Sequence, residues 1–456
     1  MQLEIIIIAA GKGTRMRSER PKVLHELGGK PLISHVLQSA HLLDAARIHV
    51  VVGHGSEQVR QAALNDDINW VLQGQQLGTA HAVQAAMPHV DDRNLVLVLN
   101  GDVPLISTDS LKKLASSALQ ERLAILTMNL ADPSGYGRVL RDKKGEINGI
   151  VEHKDASDEQ LQIKEVYTGF LAAPKIELES WLQKVNSNNV QGEFYLTDII
   201  SIAANSHYPI NDQQPADDWE VMGINSKNDL AVLERVYQHN QARKLMNNGL
   251  KLIDPNRFDL RGELEFGSDC ELDANVIIEG KVCLGDRVKI GPNNVIRDTT
   301  IKSDVRVEAN CVLDGANISS DCNIGPFARL RPGTNLSNKV RIGNFVEVKQ
   351  SLLGKGSKVN HLSYVGDSKV GQQVNIGAGT ITCNYDGANK HLTEIGDKAF
   401  IGSNSALVAP VYIGAGATIG AGSTISGKVR ADALTMTRSE QKTVKDWKRP
   451  IKNSKD

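Results

Sequence analysis

The chain has 456 residues, too many for one ordinary core, so two or three domains are expected. A formal net charge of −1 and a pI near 6.9 exclude a binder of nucleic acid or membrane surfaces that works through a global excess of basic charge. The longest apolar run near the start, Ile5 to Ala10, is too short to span a bilayer, and Glu4 replaces the cations of a secretory signal; a cytoplasmic protein with neither nucleic-acid nor membrane partners is expected.

The stretch "LEIIIIAAGKGTRMRSERPKVL" opens the order of elements: a strand over Leu3 to Ala10 enters a glycine turn whose N–H groups suit a phosphate, with Arg15, Arg17 and Lys22 behind it. It is not a dinucleotide fingerprint, because Met16 stands where a third glycine is needed, and it lacks the Lys-Ser/Thr of a P-loop. Up to about Ile224, the runs "RIHVVVGHG", "NWVLQ", "NLVLVLNGD" and "LAILTMNL" alternate with amphipathic stretches. That rhythm predicts an α/β domain with a Rossmann-like, mainly parallel sheet and ligands at the strands' carboxyl ends. From Asn228 to Asn248 the apolar residues keep to one helical stripe and stop at Gly249, which predicts a linker helix. The expected division is therefore 1–227, 228–248 and 249–456.

Beyond Leu264 glycines recur at multiples of six: Gly285 to Gly291, Gly371 to Gly377, Gly396 to Gly402, and Gly402 through Gly414 to Gly420. Around them stands V-x-[IL]-G, the signature of hexapeptide repeats, in which three short strands make an 18-residue triangular turn with aliphatic residues inside and corner glycines permitting the bend. This half resembles left-handed parallel β-helices. The spacing slips between Gly377 and Gly396, so "TCNYDGANKHL" is expected as a loop outside the prism. All five cysteines lie in this half with no C-x-x-C spacing and read as buried free thiols.

"AAGKGTRM" with "RPKVL" resembles the nucleotidyltransferase loop of sugar-nucleotide pyrophosphorylases. "QGQQLGTAHAV", "NGDVPLI", "GYGRV", "GIVEHKDA" and "GINS" follow in that family's order. Singly these would be a turn, a helix cap and a surface lysine; the ordered set is what carries the resemblance. With the β-helix, the whole chain resembles the bifunctional bacterial N-acetylglucosamine-1-phosphate uridylyltransferase/glucosamine-1-phosphate N-acetyltransferases. The resemblance implies that Arg15 and Lys22 neutralise phosphate charge, that Asp102 and Asn225 hold Mg²⁺, and that Ala9, Ala10, Gly11, Gln73, Gly78 and Thr79 hold the uridine of UTP. Asn100, Gly101, Gly137, Glu152 and Tyr167 complete the implied UDP-N-acetylglucosamine site. Two of these depart from the family pattern: Asn100 replaces an aromatic, and Tyr167 stands where an asparagine usually meets the sugar. A sugar 1-phosphate is largely dianionic at neutral pH, since a phosphate's second pKa is about 6, so its attack on UTP needs charge neutralisation rather than a general base.

In the second half, Arg331 and Lys349 are 18 residues apart and so stack as two cations that suit a shared anion; Ser403 and Ala421 stack likewise as a small-residue groove wall. His361, near Tyr364 and Asn375, is suited to take a proton from an amine attacking a thioester. The resemblance assigns His361 as base, Arg331, Lys349, Tyr364 and Asn375 to glucosamine 1-phosphate, and Ala378, Asn384, Tyr385, Ser403, Ala421 and Arg438 to acetyl-CoA. It also implies a homotrimer whose cofactor groove crosses a subunit boundary. From Lys428 onward 9 Lys/Arg face 4 Asp/Glu, and the tail reads as solvated. Two rivals stay open: a single-activity pyrophosphorylase whose β-helix only assembles subunits, and a regulatory chain that kept a nucleotide-sugar pocket without catalysis.

Overall fold

The computed structural model of the chain describes residues 2–63 and 67–450, so residues 451–456 of the basic tail lie outside the described residues. Two compact units meet in sequence at Asn240/Gln241.

In the first unit one sheet contains β1 (Leu3–Ala9), β2 (Arg47–Val52), β3 (Ile68–Leu72), β4 (Leu95–Asn100), β5 (Leu123–Asn129), β6 (Gly137–Arg141), β7 (Ile147–Val151), β8 (Glu165–Pro174) and β9 (Ile210–Gln213). The order is β9-β5-β8-β4-β1-β2-β3, with β6 pairing β8 and β7. Around β1 the pairing is parallel on both sides, while β8 runs antiparallel to β4 and β5. The run Ile5-Ile6-Ile7 is apolar throughout because both faces of β1 are covered. Ile5 and Ile7 pack with Ile33 and Leu111, and Ile6 packs with Val83 and Ile199, each from a helix on its own side. Burying each such side chain contributes about 1.5–3 kcal/mol. With β4 on one side of β1 and β2 on the other, the loops leaving the carboxyl ends of β1 and β4 open a crevice where ligands gather in such sheets.

A single helix, Lys227–Asn247, follows, and Gly249 after it adopts φ +100°, a conformation suited to glycine. Its first turn begins one residue earlier than the apolar pattern suggests because Ser226 caps it, its Oγ accepting the Asp229 N–H at 3.2 Å.

The second unit is a parallel β-helix. Successive coils pair in register, as in Glu271↔Lys289, Asn323↔Arg341 and Phe400↔Thr418, and the inward neighbours Leu272, Ile290, Ile324, Ile342, Ile401 and Ile419 form one buried stack. A coil takes 17 residues as often as 18: Arg341 pairs with Lys358 and Lys358 with Asn375. The step from Asn375 to Phe400 is longer, and the surplus is the "TCNYDGANKHL" loop, which leaves the prism after Cys383 and returns at Thr393.

The motif glycines do a different job from the one expected. Gly285, Gly396, Gly402 and Gly414 are not in the left-handed region; the residues two further on, Arg287, Lys398, Asn404 and Gly416, are. A Cβ on Gly402 would lie 2.5 Å from the Ala421 nitrogen, and one on Gly414 2.3 Å from that of Ala431. These glycines let one coil approach the next, and the bend is made beyond them. All five cysteines are free, with Cys270, Cys311 and Cys322 buried.

Candidate functional site

The loop after β1 is folded back by Gly13, at φ +61°, into a short turn over Thr14–Met16. A Cβ on Gly13 would lie 2.6 Å from the Lys22 Cβ, so glycine is what lets Lys22 cross the loop. Lys22 Nζ donates to Asp102 Oδ2 and, at 3.1 Å, to Asn225 Oδ1. Asp102 follows β4, and the two chain segments are tied by the Ile224 N–H donating to the Asp102 carbonyl at 2.9 Å. Asp102 and Asn225, distant in sequence, are thus brought together. Arg15 stands exposed on the turn, with no hydrogen-bond or ion-pair partner among the described residues.

The two oxygens that converge on the Lys22 ammonium are hard donors, and the ammonium stands in for a cation between them. That donor set fits Mg²⁺, which takes few protein ligands and keeps water and substrate oxygens for the rest. Among the described residues no group of three or more His, Cys, Asp or Glu side chains forms a richer metal cage.

Two cavities adjoin at Ile8 and Thr79. One, of about 610 Å³, is lined by Ala10, Gly11, Gln73, Gly78 and Thr79. Gln73 is buried, and its Nε2 donates to the Gly78 carbonyl at 3.2 Å and faces His81 Nδ1 at 2.9 Å. A Cβ on Gly78 would fall 2.4 Å from the Phe194 carbonyl oxygen, so the chain reaches this wall only as glycine. The other, of about 190 Å³, is lined by Thr79, Asn100, Tyr136, Gly137, Glu152, Tyr167 and Thr197. Ala9 and Gly101 line neither: Ala9 packs into the sheet core, and the Gly101 N–H donates to the Ile8 carbonyl at 2.9 Å.

Burial pushes the Glu152 carboxyl above its ordinary pKa, the Thr197 hydroxyl at 2.9 Å from Oε1 opposes this, and Asp155, Asp198 and Glu193 add to it. Burial likewise raises Tyr136, and the Asp102 charge adds to that shift. Tyr167 is 6% exposed and its hydroxyl has no hydrogen-bond partner among the described residues, while Asn100 Nδ2 donates to the Gly169 carbonyl at 3.3 Å.

On the coil, Asn344 and His361 are register partners, and His361 Nδ1 lies 3.0 Å from Asn344 Oδ1. Since Oδ1 only accepts, Nδ1 carries the hydrogen of the neutral ring and Nε2 is left as a proton acceptor. The ring is exposed rather than turned into the prism. Arg331 ends a ladder of alternating charge on successive coils: Arg261 pairs with Glu279, Glu279 with Arg297, and Arg297 with Asp314 at 3.5 Å. At the next step the alternation fails, because Lys349 follows Arg331; the Arg331 N–H bonds the Val348 carbonyl at 2.9 Å. Glu347 takes one Arg331 nitrogen at 2.8 Å.

Lys390, on the extruded loop, joins these cations. The Lys349 side chain holds the Lys390 ammonium below the ordinary lysine value, and the Lys349 charge reinforces this. Nothing in the sequence spacing pointed to Lys390, Asn344 or Thr197, since each is delivered by register or by a loop. Tyr364 Oη meets Asn384 Nδ2 at 3.4 Å, and Asn384 also bonds Asp367. Asn375 lies on the coil after Lys358, and Tyr385 is exposed on the loop. Ala378, Ser403 and Ala421 fall in one column: the Asn404 N–H bonds the Ala378 carbonyl at 2.7 Å and the Gly422 N–H bonds that of Ser403 at 2.8 Å. Arg438 lies beside it, with Nη2 3.6 Å from where a Cβ on Gly420 would be.

A model for the MobA-like NTP transferase domain matches residues 5–250, and one for the bacterial transferase hexapeptide (six repeats) matches residues 392–427. The Bifunctional protein GlmU of Cellvibrio japonicus (strain Ueda107) is 54% identical over 452 residues, covering 99% of this chain and 100% of that one. Those of Alkalilimnicola ehrlichii (strain ATCC BAA-1101 / DSM 17681 / MLHE-1) and Idiomarina loihiensis (strain ATCC BAA-735 / DSM 15497 / L2-TR) are each 51% identical, covering 98% and 99% of this chain and 96% and 99% of theirs. With a nucleotidyltransferase crevice and a hexapeptide coil in one polypeptide, matched along its length at about half identity, the chain belongs to the bifunctional GlmU family.

Proposed function

We propose a division of labour between two reaction centres in this bifunctional transferase. The β-helix unit transfers acetyl from acetyl-CoA to glucosamine 1-phosphate; the α/β unit then joins the product to UTP, giving UDP-N-acetylglucosamine and pyrophosphate. In the first reaction His361 Nε2 takes a proton from the substrate ammonium, the freed amine adds to the thioester carbonyl, and the C–S bond breaks as the nitrogen's second proton passes to the departing sulfur, releasing CoA as the thiol. Arg331, Lys349 and Lys390 hold the sugar phosphate, whose charge offsets the repulsion among them. Tyr364 and Asn375 stand beside the sugar. The column Ala378–Ser403–Ala421 gives CoA a wall free of long side chains, flanked by Asn384, Tyr385 and Arg438. A homotrimer supplies that groove with its second wall.

In the second reaction an oxygen of the sugar phosphate attacks the α-phosphorus of UTP and the bond to the β-phosphate breaks. Ala10, Gly11, Gln73, Gly78 and Thr79 hold the uridine, and Gly137, Glu152 and Tyr167 hold the amino sugar. Mg²⁺ held by Asp102 and Asn225 would supply hard positive charge that orients both phosphates. Lys22 leaves that oxygen pair when phosphate is present and, with Arg15, neutralises charge on the transferring group. Substrates of these kinds, and five free cysteines, support a cytoplasmic location.

The observation that carries this reading is the meeting of Lys22, Asp102 and Asn225 in one unit of a chain whose other unit presents an oriented His361. Asp102→Ala tests it: pyrophosphate release from UTP and N-acetylglucosamine 1-phosphate is expected to stop while CoA release from acetyl-CoA and glucosamine 1-phosphate continues. Loss of both, or of neither, would count against separate centres.

A further inference from the structure

We infer that Asp229 is a positioning residue for uridylyl transfer, acting through Asn225; this rests on the reading of Asp102 and Asn225 as the metal-holding pair. Asn225 sits on the loop that ends where the helix Lys227–Asn247 begins, and a loop asparagine by itself is free to turn about both side-chain bonds. Its backbone is nevertheless fixed from two directions. Ile224, just before it, donates its N–H to the Asp102 carbonyl at 2.9 Å, and the Asn225 N–H donates to Asp229 Oδ2 at 2.9 Å.

The same Asp229 oxygen takes the Ser226 N–H at 2.8 Å, and Ser226 Oγ takes the Asp229 N–H at 3.2 Å. The reciprocal Ser226–Asp229 pair is an ordinary capping box, which satisfies the helix end. The bond to the Asn225 N–H is surplus to that purpose. It reaches outside the helix to the residue whose Oδ1 meets the Lys22 ammonium at 3.1 Å. Asp229 thus ties a stable element, the first turn of a 21-residue helix, to the residue that supplies one of the two oxygens meeting the Lys22 ammonium. Groups that orient a metal ligand from behind typically change metal affinity 10- to 100-fold when removed.

The test is Mn²⁺ binding to the full chain, read from the electron paramagnetic resonance signal of free Mn²⁺ with and without UTP, so that turnover is not the readout. Asp229→Ala is expected to weaken Mn²⁺ binding about 10-fold, the low end of that range. Asp229→Asn, which keeps an accepting oxygen, is expected to restore most of it. Ser226→Ala, which loosens the helix cap but leaves the Asp229–Asn225 bond, is expected to bind Mn²⁺ as the unaltered chain does. Unaltered binding in Asp229→Ala, or an equal loss in Ser226→Ala, overturns the inference. Asn225→Ala separates the two readings: if it binds Mn²⁺ normally, the metal assignment itself fails; if it loses Mn²⁺ while Asp229→Ala does not, only the positioning role fails.

Discussion

Asn344 and His361 stand opposite one another on adjacent coils, and the carboxamide oxygen of the first fixes which imidazole nitrogen of the second is free. On the proposed reading, the two residues act together in acetyl transfer. His361→Ala is expected to slow acetyl transfer by a factor of about 10²–10⁴, the usual worth of a positioned proton acceptor. Asn344→Ala is expected to cost less, because the ring keeps both nitrogens and loses only the group that sets its tautomer. CoA release and pyrophosphate release, followed on one preparation, check both variants; pyrophosphate release is expected to be unaffected.

The alternating ladder from Arg261 to Asp314 neutralises itself, and the excess positive charge begins only where Lys349 follows Arg331 and Lys390 swings in from the loop. Removing one of these cations should act on binding of the phosphate rather than on the chemical step. Lys390→Ala is expected to raise KM for glucosamine 1-phosphate several-fold, the modest effect of one solvent-exposed cation, with little change in kcat. Steady-state kinetics at two salt concentrations check it, since added salt should narrow the difference between variant and parent.

The Tyr167 hydroxyl is buried without a hydrogen-bond partner among the described residues, a condition that costs about 1–3 kcal/mol. Tyr167→Phe removes that cost and keeps the ring. A higher melting temperature is therefore expected without ligand, together with a higher KM for N-acetylglucosamine 1-phosphate, as Tyr167 and Glu152 both line the smaller cavity. Thermal melts and pyrophosphate release measure the two effects separately.

Stability should fall on acidification, starting at the sheet. Burial drives the His49 imidazole below its ordinary value of 6.5 even though Glu4 accepts its Nε2–H at 2.7 Å. Burial would raise Glu4, but His49, Asn94 and the Asp91 N–H overcome it and hold the carboxyl below 4.5. A histidine held neutral when folded stabilises fully above its unfolded pKa and loses that contribution as pH drops below about 6.5; a depressed carboxylate does the same below about 4.5. Melting temperature is thus expected to decline between pH 7 and 5. His49→Gln is expected to flatten that decline in part, because burial also lowers His35.

Legibility in the sequence followed the physics of each element. Strands β1, β2, β4 and β5 are largely aliphatic runs because both their faces are covered, and such runs are visible without a structure. β8 carries no strand signal of its own: "EVYTGFLAAP" mixes small and polar residues, and its place between β5 and β4 makes it a strand. The hexapeptide spacing revealed the coil, yet misassigned the role of its glycines, since close approach of neighbouring coils and left-handed backbone both call for glycine. Stacked cations were legible where the coil keeps to 18 residues, as at Arg331 and Lys349; Asn344 escaped because its step to His361 is 17. Lys390 escaped because an extruded loop carries no register at all.

On the proposed reading, one polypeptide holds two separate reaction centres acting in turn on the same sugar. The most direct test is formation of UDP-N-acetylglucosamine by the full chain from glucosamine 1-phosphate, acetyl-CoA and UTP, with each omitted in turn. Product should appear only with all three, and N-acetylglucosamine 1-phosphate should restore it when acetyl-CoA is left out. Acetyl-CoA that is never consumed, or product formed from glucosamine 1-phosphate without it, would contradict the account.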